Sequence, residues 1–347
     1  MTEQPRWISA HLFYHGDLSA LLVDCVQPLL TRLEQRGLIA SYFFVRYWQG
    51  GPHLRLRLLP QTANASESIM DEVRRAAAGY FQQHPAPDSL DPGHYQEISS
   101  YLSLMEYGRA ESGPLYPNNS VHFLPYMPEY EHYGGQQAMP SIEEHFWKSS
   151  AIALALLCQG ADRKQRTAHS TAAMLLTAAL ADPTRTATAR VIEHFYFSWE
   201  RMPVSLRSQL LARFDQQYEQ QRQRLERLSE QLLQLSAQEE PDLDGFSTAL
   251  GRWLHSIRQL YRKLQELDQA GLLLPQPLSA RPARPSSITI GTPLSIVLRC
   301  AHMHNNRLGL LILEEAYVLH LLKRALSEED WTSDSNQQPE PFAGSPF

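Results

Sequence analysis

Residues 53–58 read His-Leu-Arg-Leu-Arg-Leu, a strict alternation of polar and apolar side chains. Successive side chains of a β-strand point to opposite faces, so this run can only be a strand with a leucine face and a cationic face. It follows Gly50-Gly51-Pro52 and a run rich in aromatic and aliphatic residues at 39–48. Two such runs joined by a Gly-Gly turn predict a β-hairpin. A further aromatic and aliphatic run at residues 7–14 predicts a strand ahead of them. Between the first two strands, Asp17 is placed to cap a helix over 18–36, with Leu21, Leu22, Cys25, Leu29, Leu30 and Leu33 on one buried face. Pro28 inside that run predicts a kink.

Beyond the hairpin, the pattern predicts a helix over 66–83, then a polar, proline-bearing connection. Residues 110–137 read as irregular, with an extended piece near 121–126. From about 140 to 272 the periodicity is helical. Ser141 with Glu144 fits a capping box, and amphipathic segments fall near 142–158, 163–181 and 184–197. Residues 205–235 carry a leucine face (Leu225, Leu228, Leu232, Leu235) over about two heptads. That is short for a coiled-coil partner surface and favours one long helix packed on its own domain. A proline-rich linker is expected at 273–288, then helices over 292–307 and on to 326. The expectation is a single α+β domain over 1–329, a small antiparallel sheet near the N-terminus packed with a mostly helical remainder, helices lying over one side. The tail 330–347 reads as disordered. There is no internal repeat.

With 347 residues and 43% hydrophobic content the chain can bury a sizeable core. Its formal charge of −6 argues against a general nucleic-acid-binding surface, though not against a local basic pocket. No run of 18 apolar residues and no N-terminal signal are visible, which predicts a cytoplasmic protein without a membrane span. Cys25, Cys158 and Cys300 are odd in number, far apart and set in apolar helical contexts. They predict buried thiols rather than a disulfide framework or a metal site. No phosphate loop, nicotinamide fingerprint or metal cluster calls for a cofactor.

Three constellations could carry chemistry. His53, Arg55 and Arg57 share a strand face, and two guanidiniums beside an imidazole suit a carboxylate. The same spacing also fits a solvated face with arginines for solubility. Residues 126–135 gather three tyrosines, two glutamates and a histidine before Gly134-Gly135, whose freedom allows a sharp turn or close approach. Ordinary surface-loop composition explains them nearly as well. Residues 299–307 place His302 and Asn306 one helical turn apart, so His302 is a candidate general base and Asn306 a neighbour to hold it. His302 and His304, two apart on a helix, cannot converge on one metal. A core or capping role for these histidines is equally open.

In this order the segments resemble the elimination domain at the C-terminal end of lantibiotic dehydratases, a family that includes stand-alone thiopeptide biosynthesis proteins. The family pattern runs from an aromatic strand ending in Arg-Tyr to Pro-His-Leu-Arg-Leu-Arg, matched here by Arg46-Tyr47 and residues 52–57. Its Glu-x-x-Arg-Tyr-Gly-Gly falls on residues 129–135, its Glu-x-Phe-x-x-Asp-Ser on 144–150, and its His-Met-x-x-Asn-Arg on 302–307. The resemblance spans about residues 7–326. It implies an enzyme acting on a leader-bearing, ribosomally made precursor peptide, removing glutamate from glutamylated Ser or Thr to leave dehydroalanine or dehydrobutyrine. A separate glutamylating dehydratase protein would supply the substrate, and the oligomeric state stays open, a homodimer included. By position, Arg55 and Arg57 would clamp the glutamate and His302 would handle the proton. Arg46, His53, Glu129, His132, Tyr133, Asn306 and Arg307 would line the substrate. The chain departs from the pattern twice: His132 stands where the family has arginine, and Ser149 where it has aspartate. Those departures raise the family's other chemistry as the alternative, a pyridine synthase joining two dehydroalanines by a formal [4+2] cycloaddition with expulsion of water and leader, while retention of Arg55, Arg57 and His302 together keeps elimination first. A non-catalytic scaffold presenting the peptide is the third reading.

Overall fold

The computed structural model describes residues 6–87, 90–107, 113–182, 204–239, 241, 247–274 and 292–326. Among them the alternating run becomes β3 (His53–Pro60), an inner strand of a four-stranded antiparallel sheet. Its neighbours are β2 (Ile39–Tyr47) and β1 (Ile8–Phe13), with β4 (Ser120–Phe123) on the far side of β1, giving the order β2-β3-β1-β4. The predicted hairpin forms: β2 pairs antiparallel with β3, and Gly50 and Gly51 turn the chain at φ values of 90° and 106° that L side chains rarely adopt. Register sets Arg55 between His11 and Val45, Arg57 between Ser9 and Phe43, and His53 between Phe13 and Tyr47.

The leucine face is dry. Leu12, Phe44, Leu54, Leu56 and Leu58 are fully buried against two helices. The first, α1, runs through Leu18–Ala20, a π-helical turn Leu21–Val26 and Gln27–Gln35. The second, α2, spans Ser66–Gln83, as the sequence predicts. Burying side chains of this size stabilises the fold by about 1.5–3 kcal/mol each. Asp17 caps α1 as expected, its Oδ1 accepting from the Ser19 amide at 2.7 Å. The kink expected at Pro28 appears as the π-helical turn just before it. Proline has no N–H for the Asp24 carbonyl and crowds it, and the wider turn absorbs the mismatch.

Helix α3 (Pro92–Tyr107) occupies what reads as a polar connection. Pro92 opens it, where no N–H is needed, and Asp91 Oδ1 accepts from the Gly93 amide at 2.9 Å. The helical remainder comprises α4 (Met139–Cys158), α5 (Arg163–Ala181), α6 (Val204–Glu219), α7 (Arg222–Ala237), α8 (Thr248–Gln269), α9 (Thr292–Leu308) and α10 (Ile312–Leu326). Several expectations change. Helix α4 begins at Met139, so Ser141 lies inside it, its amide bonded to the Ala138 carbonyl, and caps nothing. A true capping box opens α5, between Asp162 and Gln165. The long helix expected over 205–235 breaks between α6 and α7, which lets α6 pack on α10 and α7 on α5. Its leucine face does pack internally, with Leu225, Leu232 and Leu235 buried. Cys25 and Cys300 are buried, but Cys158, the last residue of α4, is exposed. The segment 184–197, the tail 330–347 and most of the linker 273–288 lie outside the described residues.

Trp253 anchors the bundle, fully buried and donating to the Ala173 carbonyl and Thr177 hydroxyl, both at 3.1 Å. Helices α4 and α9 also close the free edge of β2. Ser150 Oγ accepts from the Phe44 amide at 3.1 Å, while Asn306 accepts from the Arg46 amide and donates to its carbonyl, both at 2.9 Å. An edge strand satisfied by side chains cannot recruit another chain.

Candidate functional site

The cationic face of the sheet is covered, not solvated. His53 and Arg57 are nearly buried at 1% and 7% exposure, beside His11 from β1. His53 donates through Nδ1 to the Gly51 carbonyl at 2.8 Å, leaving Nε2 to accept from Arg55 Nε at 3.3 Å. The Arg55 guanidinium lies 3.4 Å from the centre of the Tyr47 ring. Arg57 Nη1 donates to His11 Nε2 at 3.3 Å, and the His11 and His53 rings stack at 5.1 Å. Phe13, Tyr116 and His122 extend the aromatic wall toward β4.

Burial first, then the two guanidiniums, hold His53 neutral, its pKa lowered to about 4 against the pull of the Gly51 carbonyl. Burial, then Arg57 and His53, hold His11 lower still, at about 2. Arg57 is lowered by burial and by Arg55 to about 10, so it stays cationic at neutral pH. Among the described residues no carboxylate forms an ion pair with Arg57. The strip therefore presents fixed positive charge among neutral imidazoles, an environment that suits an anion.

Tyr126 roofs this strip, its ring centre 5.4 Å from the Arg57 guanidinium. Tyr126 and Trp7 both hydrogen-bond Glu143, Trp7 Nε1 donating to Oε2 at 2.9 Å. Burial raises the Glu143 carboxyl, opposed by those two bonds. The chain then enters a 3-10 turn, Tyr130–His132, with Glu129, Glu131 and His132 exposed. Glu129 supports the Arg57 charge electrostatically. Tyr133 turns inward, edge-on to Phe146 at 5.2 Å, its phenol pushed up by burial. Gly134 serves both purposes foreseen for it: φ is 83°, and an added Cβ would sit 2.5 Å from Leu273 Cδ1.

Helix α9 divides its polar residues among three faces. His304 is fully buried, Nδ1 2.9 Å from Ser149 Oγ and Nε2 3.1 Å from His169 Nε2. Arg307 is also fully buried, over the Phe146 ring and donating to Ser150 Oγ at 3.1 Å and Ser149 Oγ at 3.5 Å. Asn306 ties β2, and so does not hold His302. The His302 ring meets Glu315 of α10 instead, Nδ1 to Oε1 at 2.5 Å.

The family model described as lantibiotic biosynthesis dehydratase C-term matches residues 7–326. The chain belongs to this family. Solved structures share its fold. The pyridine synthase TbtD from thiomuracin biosynthesis has a TM-score of 0.70 at 19% identity, covering 92% of this chain and 97% of that one. TsrL gives 0.61 at 18%, covering 93% and 94%. The tRNA-dependent lantibiotic dehydratase MibB from Microbispora sp. 107891 gives 0.53 at 19%, covering 92% of this chain and 28% of that one. No curated protein matches the sequence. Membership assigns the chain to the enzymes that build ribosomally made, modified peptides.

Within this lantibiotic dehydratase C-terminal fold, the residues expected at the site fall into groups. His53, Arg55 and Arg57 lie together, with Glu129 near Arg57, while Tyr133 turns into the bundle against Phe146. His302 sits at the α9–α10 junction. Arg46 pairs in register with Leu54, on the opposite sheet face from Arg57, and bonds Ser19 Oγ and the Arg307 carbonyl. Arg307 and Asn306 knit helices to the sheet edge. Sequence reasoning passed over His11 and Glu315, and included Tyr126 only as part of the 126–135 run. His11 was findable: Ser9, His11 and Phe13 alternate with the same period of two.

Proposed function

We propose that the protein removes glutamate from glutamylated Ser or Thr in a leader-bearing precursor peptide. The observation that carries this reading is Arg57, a nearly buried guanidinium with no carboxylate partner among the described residues, set beside neutral His11, which stacks on neutral His53. In the step, a base takes the Cα proton, the electron pair forms the Cα–Cβ double bond, and the Cβ–O bond breaks. Glutamate leaves with its carboxylate, and dehydroalanine or dehydrobutyrine remains. Arg57 and Arg55 hold the glutamyl carboxylate and stabilise charge as it develops. His302 takes the proton-handling role by family resemblance. The substrate is made by a glutamylating protein, and the step calls for no cofactor.

His132 supports a second reading. It stands exposed where the family pattern has an arginine, and a second carboxylate contact is weaker there. A pyridine synthase needs no glutamate clamp and would form its ring from two dehydroalanines with loss of water and leader.

Mass spectrometry of the purified protein with two peptides separates them. A precursor glutamylated at serine should lose glutamic acid, and Arg57→Ala should slow this about 10²–10³-fold, the usual cost of removing a charge-stabilising donor. An unchanged first peptide, with leader expulsion and a new aromatic ring from one carrying two dehydroalanines, would establish the pyridine synthase. Inertness toward both would leave the scaffold.

A further inference from the structure

We propose that Glu315 is the positioning residue for His302, fixing the ring so that Nε2 carries the lone pair that takes the substrate proton. The role of His302 in this statement rests on the reading above; the hydrogen-bonded arrangement does not. Gly309, at φ 78°, reverses the chain after α9, and α10 folds back so that Glu315 reaches a residue thirteen positions earlier. Its Oε1 meets His302 Nδ1 at 2.5 Å and also accepts from Asn305 Nδ2 at 3.0 Å. Asn305 is itself fixed, buried at 1% exposure and accepting from Ser170 Oγ at 2.5 Å. The line Ser170–Asn305–Glu315–His302 thus leads from the core to a half-exposed imidazole, the side chain of His302 being 42% exposed and that of Glu315 17%.

A carboxylate can only accept from a neutral imidazole, so the bond requires the proton on Nδ1 and puts the basic lone pair on Nε2. The same carboxylate stabilises the imidazolium formed when the proton arrives, the division of labour of a Ser-His-Asp triad without the serine. His304 is the internal contrast. Two residues along the same helix, it is enclosed by Ser149, His169 and Trp253 and exposes nothing. Of the two, only His302 combines access with a carboxylate.

The test is ¹⁵N NMR of the histidine-labelled protein, with His302 assigned by a His302→Gln variant, at a pH where the ring is neutral. Wild type should show protonated Nδ1 and bare Nε2. Glu315→Gln, whose side-chain oxygen still accepts, should keep that tautomer. Glu315→Ala, with circular dichroism unchanged, should shift the ring toward the Nε2–H form. In turnover of the glutamylated peptide, Glu315→Ala should lower kcat about 10²-fold or more, within the range a positioned acid–base group contributes, with KM little changed. Bare Nδ1 in the wild type, or one tautomer in wild type and both variants, would overturn the assignment. So would elimination that is lost in His302→Ala but undiminished in Glu315→Ala. If the tautomer follows Glu315 while the wild type eliminates nothing, the pairing stands and the glutamate reading falls.

Discussion

Arg307 is a cation with neither solvent nor a carboxylate among the described residues around it. Its Nε and Nη1 reach the hydroxyls of Ser150 and Ser149, and Nη2 has no partner among the described residues. Burial lowers its pKa to about 10, against the pull of Tyr133 and Cys300, and its charge in turn helps keep His145 and His304 neutral. The family pattern carries aspartate at the Ser149 position. Ser149→Asp would set a carboxylate beside a charge already desolvated, so the usual cost of burying a pair falls on one partner only. The expected outcome is a gain of about 1.5–3 kcal/mol, the scale of a hydrogen bond to a charged group, measured by urea denaturation at neutral pH. A lower midpoint would mean that the serine hydroxyls already satisfy the guanidinium. At the sheet, Arg57 likewise has no carboxylate partner among the described residues, but its guanidinium meets neutral His11 rather than serine hydroxyls.

Single residues matter to elements chiefly where chain and packing coincide, and the turn at Gly134 is the sharpest case. Gly134→Ala adds left-handed strain of about 1–2 kcal/mol to overpacking of about 1–3 kcal/mol, because the new Cβ would meet Leu273 Cδ1 at 2.5 Å and Ile296 Cδ1 at 2.9 Å. Gly160→Ala, at φ 73° with nothing within 4 Å, should cost only the strain. Thermal melts of the two variants should differ by about 1–3 kcal/mol, and equal losses would show that packing adds nothing. The same logic separates what was legible in the sequence from what was not. β2, β3 and the turn between them were legible because alternation and Gly50-Gly51 are local signals. Helix α3 was hidden because proline and polar residues read alike in a loop and in a first helical turn. The break between α6 and α7 has neither glycine nor proline to announce it; it follows from which helices each half packs against. The sequence identified the cationic stripe but left its burial open, since Tyr126 and Trp7 cover it from distant positions. The partner of His302 was invisible for the same reason, as Glu315 lies across a turn and the i+4 neighbour Asn306 is occupied by Arg46.

Across the whole molecule, buried neutral histidines recur: His11 and His53 under the sheet's cationic face, and His145, His169 and His304 in the bundle. Burial is the first cause in each case, lowering His145 to about 3, His53 and His169 to about 4, His11 to about 2 and His304 well below its ordinary value. These groups tie stability to pH. Above about 6.5 the imidazoles are neutral in both folded and unfolded chains and contribute no pH dependence. Below it the unfolded chain takes up protons that the folded one refuses, so stability falls as pH falls and levels off only near the folded values. One such histidine removes about 1.4 kcal/mol per pH unit, and two together remove about 3 kcal/mol per unit, a large fraction of a typical stability of 5–15 kcal/mol. The melting temperature should therefore drop steadily between pH 6.5 and 4.5, starting above the range in which exposed carboxylates titrate. Calorimetry at half-unit steps from pH 7.5 checks this. His169→Gln, which keeps polar atoms in that space but cannot titrate, should flatten the slope by about 1.4 kcal/mol per unit. A Tm that holds level down to pH 5 would show that these histidines charge in place, and that burial does not hold them neutral.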